Sequence, residues 1–145
     1  AVRMICDWAA TRNHLHKVEV LGFVDGKTSV DWIRQAGCQV LNLLCKGSLK
    51  HCAQQLKKTP EQHFDDIKDT VYYAHSQGIQ VNVYLEDWSN GMKHSPKYVF
   101  DLVDALKIGH VSCVEDYIKV CRADFESTYM ENKRKALVKK YIENI

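Results

Sequence analysis

The stretch TPEQHFDDIKDTVYYAHSQGIQVNVYLED, residues 59–87, predicts a helix that is followed directly by a strand. Thr59 is a good N-cap residue, Pro60 suits the first helical position, and Gln62 completes a capping box. Gly78 should end the helix, because glycine readily adopts the left-handed conformation found after helices. We expect the strand to cover residues 79–85. The buried stripe of the helix is predicted to consist of Phe64, Ile67, Val71 and Ala74.

The same alternation of strand and helix precedes this stretch. Residues 17–24 should form a first strand, which ends at the turn signal Asp25-Gly26. Ser29 is then a candidate N-cap for a helix over residues 30–36. Residues 40–44 predict a second strand, and their nearly continuous apolar character is typical of a strand covered on both faces.

Three further helices are indicated by caps and apolar spacing. One begins at Ser48, and another opens at Ser95-Pro96 and continues to about residue 106. Residues 1–10 predict a helix with no N-cap before it, so the chain is expected to begin in mid-element. The apolar side of this first helix should carry Val2, Ile5, Trp8 and Ala9, and that of the helix after Ser48 should carry Leu49, Cys52, Ala53 and Leu56.

Short connections between apolar strands and helices favour a parallel α/β sheet. No Gly-x-Gly-x-x-Gly motif follows a strand, so a dinucleotide-binding fold lacks its phosphate loop. A (β/α)8 TIM barrel fits better, although eight units need about 250 residues. We therefore predict a portion of a barrel, about three βα units, over residues 1–106. Residues 107–145 should be a helical tail, with stripes at Val114, Ile118, Cys121, Phe125 and Tyr129 and at Leu137, Tyr141 and Ile145.

Composition limits the classes of function. The chain has 145 residues, 46% of them hydrophobic and 26% charged, with a net charge of +2, which argues against nucleic acid as a partner. No apolar run approaches the roughly 18 residues of a membrane span, and we expect no signal peptide. The six cysteines include no Cys-x-x-Cys pair, so we expect reduced, partly buried thiols and a cytoplasmic location.

Four segments together resemble one enzyme family: LGFVDGKTSVDWI (21–33), LNLLCKGSLKHC (41–52), TPEQHFDDIKDTV (59–71) and VNVYLEDWSNGM (81–92). They are similar to the acyl-CoA-condensing, metal-dependent barrels. This family includes 2-isopropylmalate, homocitrate and citramalate synthases, with the related HMG-CoA lyases. The phrase YLEDWSNGM is closest to the citramalate synthase branch. The resemblance covers about residues 2–106.

The resemblance implies an acyltransferase of branched-chain amino-acid biosynthesis, which joins acetyl-CoA to a 2-oxo acid in a Claisen condensation. A divalent metal (Mg, Mn or Zn) would polarise the ketone of the oxo acid. Glu86 matches a catalytic carboxylate, and Leu21, Leu44 and Tyr84 match positions that line the oxo-acid pocket. Their tight apolar lining favours pyruvate, the smallest candidate.

The residues themselves allow two interpretations of this region. Alternation places Tyr84 and Glu86 on the same side of a strand, at the end where barrel enzymes hold their active sites. Alternatively, Glu86 and Asp87 satisfy backbone N–H groups of a turn at residues 88–91. His51 either contacts substrate or packs as an ordinary histidine, and Lys46 either attracts the acetyl-CoA phosphates or is a solvated turn lysine.

Two motifs of the family are missing. The Arg-Asp-Gly of its first strand and the His-x-His of its seventh strand have no counterpart in the expected places. His14-Leu15-His16 has the His-x-His sequence, but it precedes the first strand. In a barrel it would lie at the N-terminal face, away from the active site. We therefore assign no metal ligands to this chain and expect it to be inactive alone. Its expected partner is a second copy of the chain, in a homodimer, or the missing remainder of the barrel. The alternatives are a non-catalytic interaction module and a lyase of the same superfamily.

Overall fold

The computed structural model describes residues 1–108, with side chains to residue 106. The tail predicted for residues 107–145, including its two helical stripes, lies outside the described residues apart from the last turn of one helix. Within the described part, the chain is a mixed α/β structure with one three-stranded parallel sheet. The predicted alternation of strand and helix, and the parallel pairing, are confirmed.

The strands lie side by side in chain order. They are β1 (Glu19–Phe23), β2 (Val40–Lys46) and β3 (Gln80–Glu86). β2 is central and pairs in parallel with both neighbours. The carboxyl ends of β2 and β3 coincide, because Lys46 is opposite Glu86 in the register. The side chains at the ends of these two strands therefore lie together at one edge of the sheet.

Six α-helices accompany the sheet in residues 1–108. Three of them are α1 (Val2–Ala10), α2 (Thr28–Gln35) and α3 (Leu49–His51), of which α3 continues as a π-helical turn, Cys52–Leu56. The other three are α4 (Pro60–Ser76), α5 (Trp88–His94) and α6 (Pro96–Ile108). A short 3-10 turn, Leu15–Lys17, precedes β1. None of these helices is both long enough and apolar enough to cross a bilayer.

The helices cover one face of the sheet and leave the other open. Leu41, Leu43 and Cys45 of β2 are fully buried on the covered face, where α4 packs on β3 and against α6. The intervening residues of β2 are only half-buried. The expectation that β2 is covered on both faces is therefore wrong for the described residues. Its apolar run arises because Leu44 is placed on the open face.

The structure confirms two of the three N-caps that the sequence predicted. Thr59 and Gln62 form the predicted capping box, and Ser48 accepts a hydrogen bond from the backbone N–H of His51. Ser29 is not an N-cap. It lies inside α2, where its backbone N–H donates to Asp25 and its hydroxyl accepts from the N–H of Phe23. Asp25 thus takes the role that the sequence assigned to Ser29.

The buried sides of two helices differ from expectation. In α1, Cys6 and Ala9 are buried, whereas Ile5 and Trp8 are more than half exposed. In the helix after Ser48, Cys52 is buried but Leu49 and Ala53 are exposed. In α4, Ile67, Val71 and Ala74 are buried as predicted, while Phe64 is half-buried. Small side chains face the core in α1 because they allow the helix to approach its neighbours closely.

The described cysteines are all free and buried, as expected of reduced structural thiols. They are Cys6, Cys38, Cys45 and Cys52. Burial raises the pKa of the Cys45 thiol far above its ordinary value, and it also raises the pKa of Cys6 and Cys52. Protonated thiols without solvent access are poor nucleophiles. Packing is the role that this environment favours for them.

Candidate functional site

The open face of the sheet carries the residues that the sequence singled out. Leu21, Leu44, Tyr84 and Glu86 all point away from the helices, because they occupy alternate positions of the paired strands. Leu44 is directly opposite Tyr84. Leu21 and Tyr84 are each 54% exposed, so this face is accessible from the side opposite the helices. The structure therefore places all four side chains on one surface, and none in the helical layer.

These residues do not stand at one level along the strands. Glu86 is at the carboxyl edge, Tyr84 and Leu44 are one step below, and Leu21 is level with Asn42 and one step lower again. Each step is two residues, or about 6.6 Å. Phe23, which is 53% exposed, stands level with Leu44 and closer to Glu86 than Leu21 does. Sequence reasoning missed Phe23, although its spacing of two from Leu21 could have indicated it.

Lys46 and Glu86 form an ion pair at the carboxyl edge of the open face. The Lys46 ammonium contacts Glu86 Oε2, and the two side chains are 18% and 37% exposed. This pairing is neither of the alternatives considered for Lys46, which is not a solvated turn lysine. It also differs from the turn-capping role considered for Glu86. The Glu86 carboxylate is held toward the centre of the sheet rather than toward the segment after it.

Two buried side chains fix the backbone of Lys46. The Lys46 N–H donates to Nε2 of His63 at 3.2 Å, and the Tyr98 hydroxyl donates to the Lys46 carbonyl at 2.8 Å. His63 comes from α4 and Tyr98 from α6, so two helices hold the end of β2. Burial lowers the pKa of His63 to about 4, so the ring is neutral near pH 7 and can accept this bond.

Asp87 organises a second group of polar side chains beyond the strand ends. Its carboxylate accepts a hydrogen bond from the Ser48 hydroxyl at 2.7 Å and another from the Asn90 amide at 2.6 Å. Nε2 of His51 lies 3.4 Å from the same carboxylate. The Ser48 and Asn90 hydrogen bonds lower the pKa of Asp87. Asp87 does not cap backbone N–H groups of the following segment.

The expected turn at residues 88–91 is in fact helix α5. Asp87 precedes it with a φ of 63°, a left-handed conformation that non-glycine residues adopt infrequently. The hydrogen bonds to Ser48 and Asn90 hold Asp87 in this conformation. Backbone strain of this kind is concentrated at sites where structure serves function.

A cavity of about 500 Å³ lies beside this group. His51 lines it, together with Ser48, Asp87 and Asn90, and none of the open-face residues does. His51 therefore lies apart from Glu86 and Tyr84, and a substrate contact by His51 stays a prediction. Lys46 is also absent from the cavity wall. The described residues thus offer two neighbouring sites, one on the open sheet face and one between α3 and α5.

No protein-family model matches the chain. The likeness to the acyl-CoA-condensing barrels therefore rests on the four sequence segments alone.

The described histidines and acids do not assemble a metal site. Among residues 1–108, no group of three or more His, Cys, Asp or Glu side chains is arranged to hold a metal ion. His14 and His16 are exposed and precede β1, at the end of the sheet opposite Glu86. Ser48, His51 and Asp87 come together, but Ser48 donates to Asp87 rather than to His51, which is not the arrangement of a hydrolase triad.

Proposed function

We propose that the open face of the sheet is part of the active site of an acyltransferase of the citramalate synthase type. The single observation that carries this proposal is that Glu86, Tyr84 and Leu44 share the open face at its carboxyl end, away from the helices. A non-catalytic remnant of a barrel would not need a carboxylate and a phenol on the exposed surface of its sheet. The finer fold that we infer is a segment of a (β/α)8 barrel whose interior this face would line.

The chemistry assigns a distinct role to each side chain. Glu86 would accept a proton from the acetyl methyl group of acetyl-CoA, and the carbanion would add to the ketone carbon of a 2-oxo acid. Water would then cleave the thioester. Leu44 and Leu21 would exclude bulky oxo acids, which favours pyruvate. Lys46 would orient the Glu86 carboxylate through the observed ion pair.

The described residues contain no group of side chains that could hold the divalent metal used by such enzymes. We derive no step through it. A complete enzyme would draw its metal ligands from other parts of a barrel, and we expect the 145-residue chain to be inactive alone. Cytoplasmic location, and self-association or pairing with the rest of a barrel, belong to the same proposal.

A second candidate function is that of a non-catalytic interaction module. The exposed aromatic side chains of Phe23 and Tyr84 favour it, because apolar groups clustered on an open surface mark interaction sites. The Lys46–Glu86 ion pair also gives Glu86 a structural role without catalysis. The superfamily lyase gains no support from any particular contact.

The deciding experiment is thiol release from acetyl-CoA, with pyruvate and Mg²⁺ or Mn²⁺. It should use the longest natural polypeptide that contains this sequence, with and without Glu86→Gln. We expect the substitution to lower kcat by about 100-fold or more, since a positioned acid–base group contributes about 10² to 10⁴ in rate. Glu61→Gln, an exposed acid in the first turn of α4, is the matched control and should leave kcat unchanged.

Two results would contradict the proposal. If the parent polypeptide releases no thiol with pyruvate or with larger oxo acids, the interaction module is favoured. If Glu86→Gln and Glu61→Gln behave alike in an active enzyme, Glu86 has no catalytic role. Circular dichroism of each variant verifies that a loss of rate is not a loss of fold.

A further inference from the structure

The cavity between α3 and α5 has a composition that the proposed condensation does not use. Its volume is about 500 Å³, which is enough for a small organic molecule. The wall combines a few aliphatic groups, such as Leu49 and Ala53, with a majority of polar and basic side chains. No residue of the open sheet face contributes to it. It is therefore a separate site.

The wall carries one lysine, one aspartate and two histidines. Lys50, His51 and His94 are the basic groups, and Asp87 is the acid. The Asp87 carboxylate is already engaged, because Ser48 and Asn90 donate hydrogen bonds to it and His51 lies beside it. The Lys50 ammonium contributes to the lowered pKa of Asp87, but the side chains of Lys50 and His94 form no ion pair or hydrogen bond with another described residue. Lys50 and His94 are therefore the donor side chains of the wall that remain open to a ligand.

The polar groups of the wall are also fixed in place. Asp87 holds Ser48, His51 and Asn90 together across the gap between α3 and α5, so these side chains do not need to be ordered when a ligand binds. Nδ1 of His51 is shielded from solvent and has no hydrogen-bond partner in the described part of the chain. An ordered wall lowers the entropic cost of binding a small polar ligand.

We propose that this cavity binds an oxyanion group, either a phosphate or a carboxylate, with Lys50 supplying a positive charge and His94 an N–H donor. Both anions accept several hydrogen bonds from cationic donors, and they are bound more tightly than neutral groups in such settings. The contacts of Asp87 with Ser48, His51 and Asn90 would hold the wall in place, so that Lys50 and His94 stay accessible to the anion. This site does not include Glu86. Evidence against the proposed condensation would therefore not contradict anion binding here, and evidence against anion binding would not contradict the condensation.

The test is an NMR titration of the uniformly ¹⁵N-labelled 145-residue chain, with the imidazole nitrogens of His51 and His94 as reporters. Inorganic phosphate is one probe and acetate is the other. Sodium chloride at matched ionic strength, at constant pH, is the control. We expect saturable shifts of both imidazoles with at least one oxyanion and none with chloride. A response to phosphate alone identifies a phosphate site, and a response to acetate identifies a site that accepts carboxylates.

Variants locate the site. Lys50→Gln should weaken the apparent affinity by about three- to fivefold, the usual effect of one exposed charge. Lys93→Gln is the matched control, since Lys93 is an exposed lysine of α5 next to His94 but does not line the cavity. The proposal is overturned if neither oxyanion gives saturable shifts, or if Lys50→Gln and Lys93→Gln change the affinity equally.

Discussion

At the scale of single residues, His63 has the environment with the clearest consequence. It is 1% exposed, and its neutral ring accepts the N–H of Lys46 at the end of β2. Protonation would remove this acceptor and place a charge in the core. Burial is the main cause of its lowered pKa, Asp66 opposes the effect, and Lys58 and Lys46 add to it. This side chain therefore connects solution pH to the edge that carries Glu86.

We predict that His63 makes the fold less stable in mild acid. In the unfolded chain a histidine binds a proton below about pH 6.5, whereas folded His63 does so only near pH 4. The unfolded state therefore binds more protons in this window, and the free energy of unfolding falls as the pH drops from about 6.5 to 4. The contribution is at most about 3 kcal/mol.

Urea unfolding at several pH values measures this effect. His63→Gln keeps an acceptor oxygen for Lys46 but cannot titrate, so its stability should fall less between pH 7 and pH 4.5 than that of the unmodified chain. His75→Gln, at an exposed position of the same helix, should retain the full dependence on pH. Identical slopes in both variants would show that His63 does not carry the linkage.

At the scale of secondary-structure elements, α5 makes a notably close contact with the end of β2. A Cβ added to Gly91 would lie 2.0 Å from the carbonyl oxygen of Gly47, which follows β2, and 2.9 Å from Cγ2 of Val99. Only glycine allows this approach. The contact places α5 against the ends of β2 and β3, and it thereby determines one wall of the cavity.

We predict that Gly91→Ala lowers the free energy of unfolding by about 1–3 kcal/mol, the usual cost of overpacking. It should also displace α5 and weaken phosphate or acetate binding in the cavity. Ser89→Ala, at an exposed position of the same helix, is the control. Thermal or urea unfolding measures the difference, and equal stabilities of the two variants would contradict the packing described.

The sequence predicted the elements whose signals are local and missed those set by tertiary contact. The Thr59 capping box and the strand after Gly78 depend on neighbouring residues, and both are present. Helix α5 was missed because Trp88-Ser-Asn-Gly91 has the composition of a turn, and its position depends on Gly47, far away in the chain. The buried side of α1 also differs from the prediction, because Cys6 is buried in place of the larger apolar side chains of Ile5 and Trp8.

The candidate site was predictable in part for the same reason. Period-two alternation was sufficient to place Tyr84 and Glu86 on one face. Pairing between strands was needed to show that Phe23, rather than Leu21, is level with Leu44. The bond from Ser48 to Asp87 spans 39 residues and has no signature in either local segment.

At the scale of the whole molecule, the described sheet has one covered and one open face. Leu21, Phe23 and Tyr84 on the open face are each more than half exposed. Within residues 1–108, β1 and β3 are edge strands with one partner each. Open edges and clustered apolar groups promote association between chains.

We predict that the 145-residue chain self-associates through this face. Phe23→Lys should shift the population toward monomer in sedimentation velocity, because it places a charge in the apolar surface. Trp32→Lys is the control, since Trp32 is 68% exposed on α2 and belongs to a different surface. A chain that is monomeric at all concentrations, or an equal response of the two variants, would contradict this prediction.

The central claim is that the open face at the carboxyl end of the sheet selects a small 2-oxo acid, and the preference between oxo acids tests it most directly. The measurement is the ratio of kcat/KM for pyruvate to that for 2-oxobutanoate, in the parent polypeptide and in Leu44→Ala. Since one methylene is worth about 1–3 kcal/mol, the substitution should lower this ratio by about tenfold or more. Leu85→Ala, on the other face of the sheet, should leave the ratio unchanged. An unchanged ratio in Leu44→Ala, or no thiol release with either acid, would contradict the account.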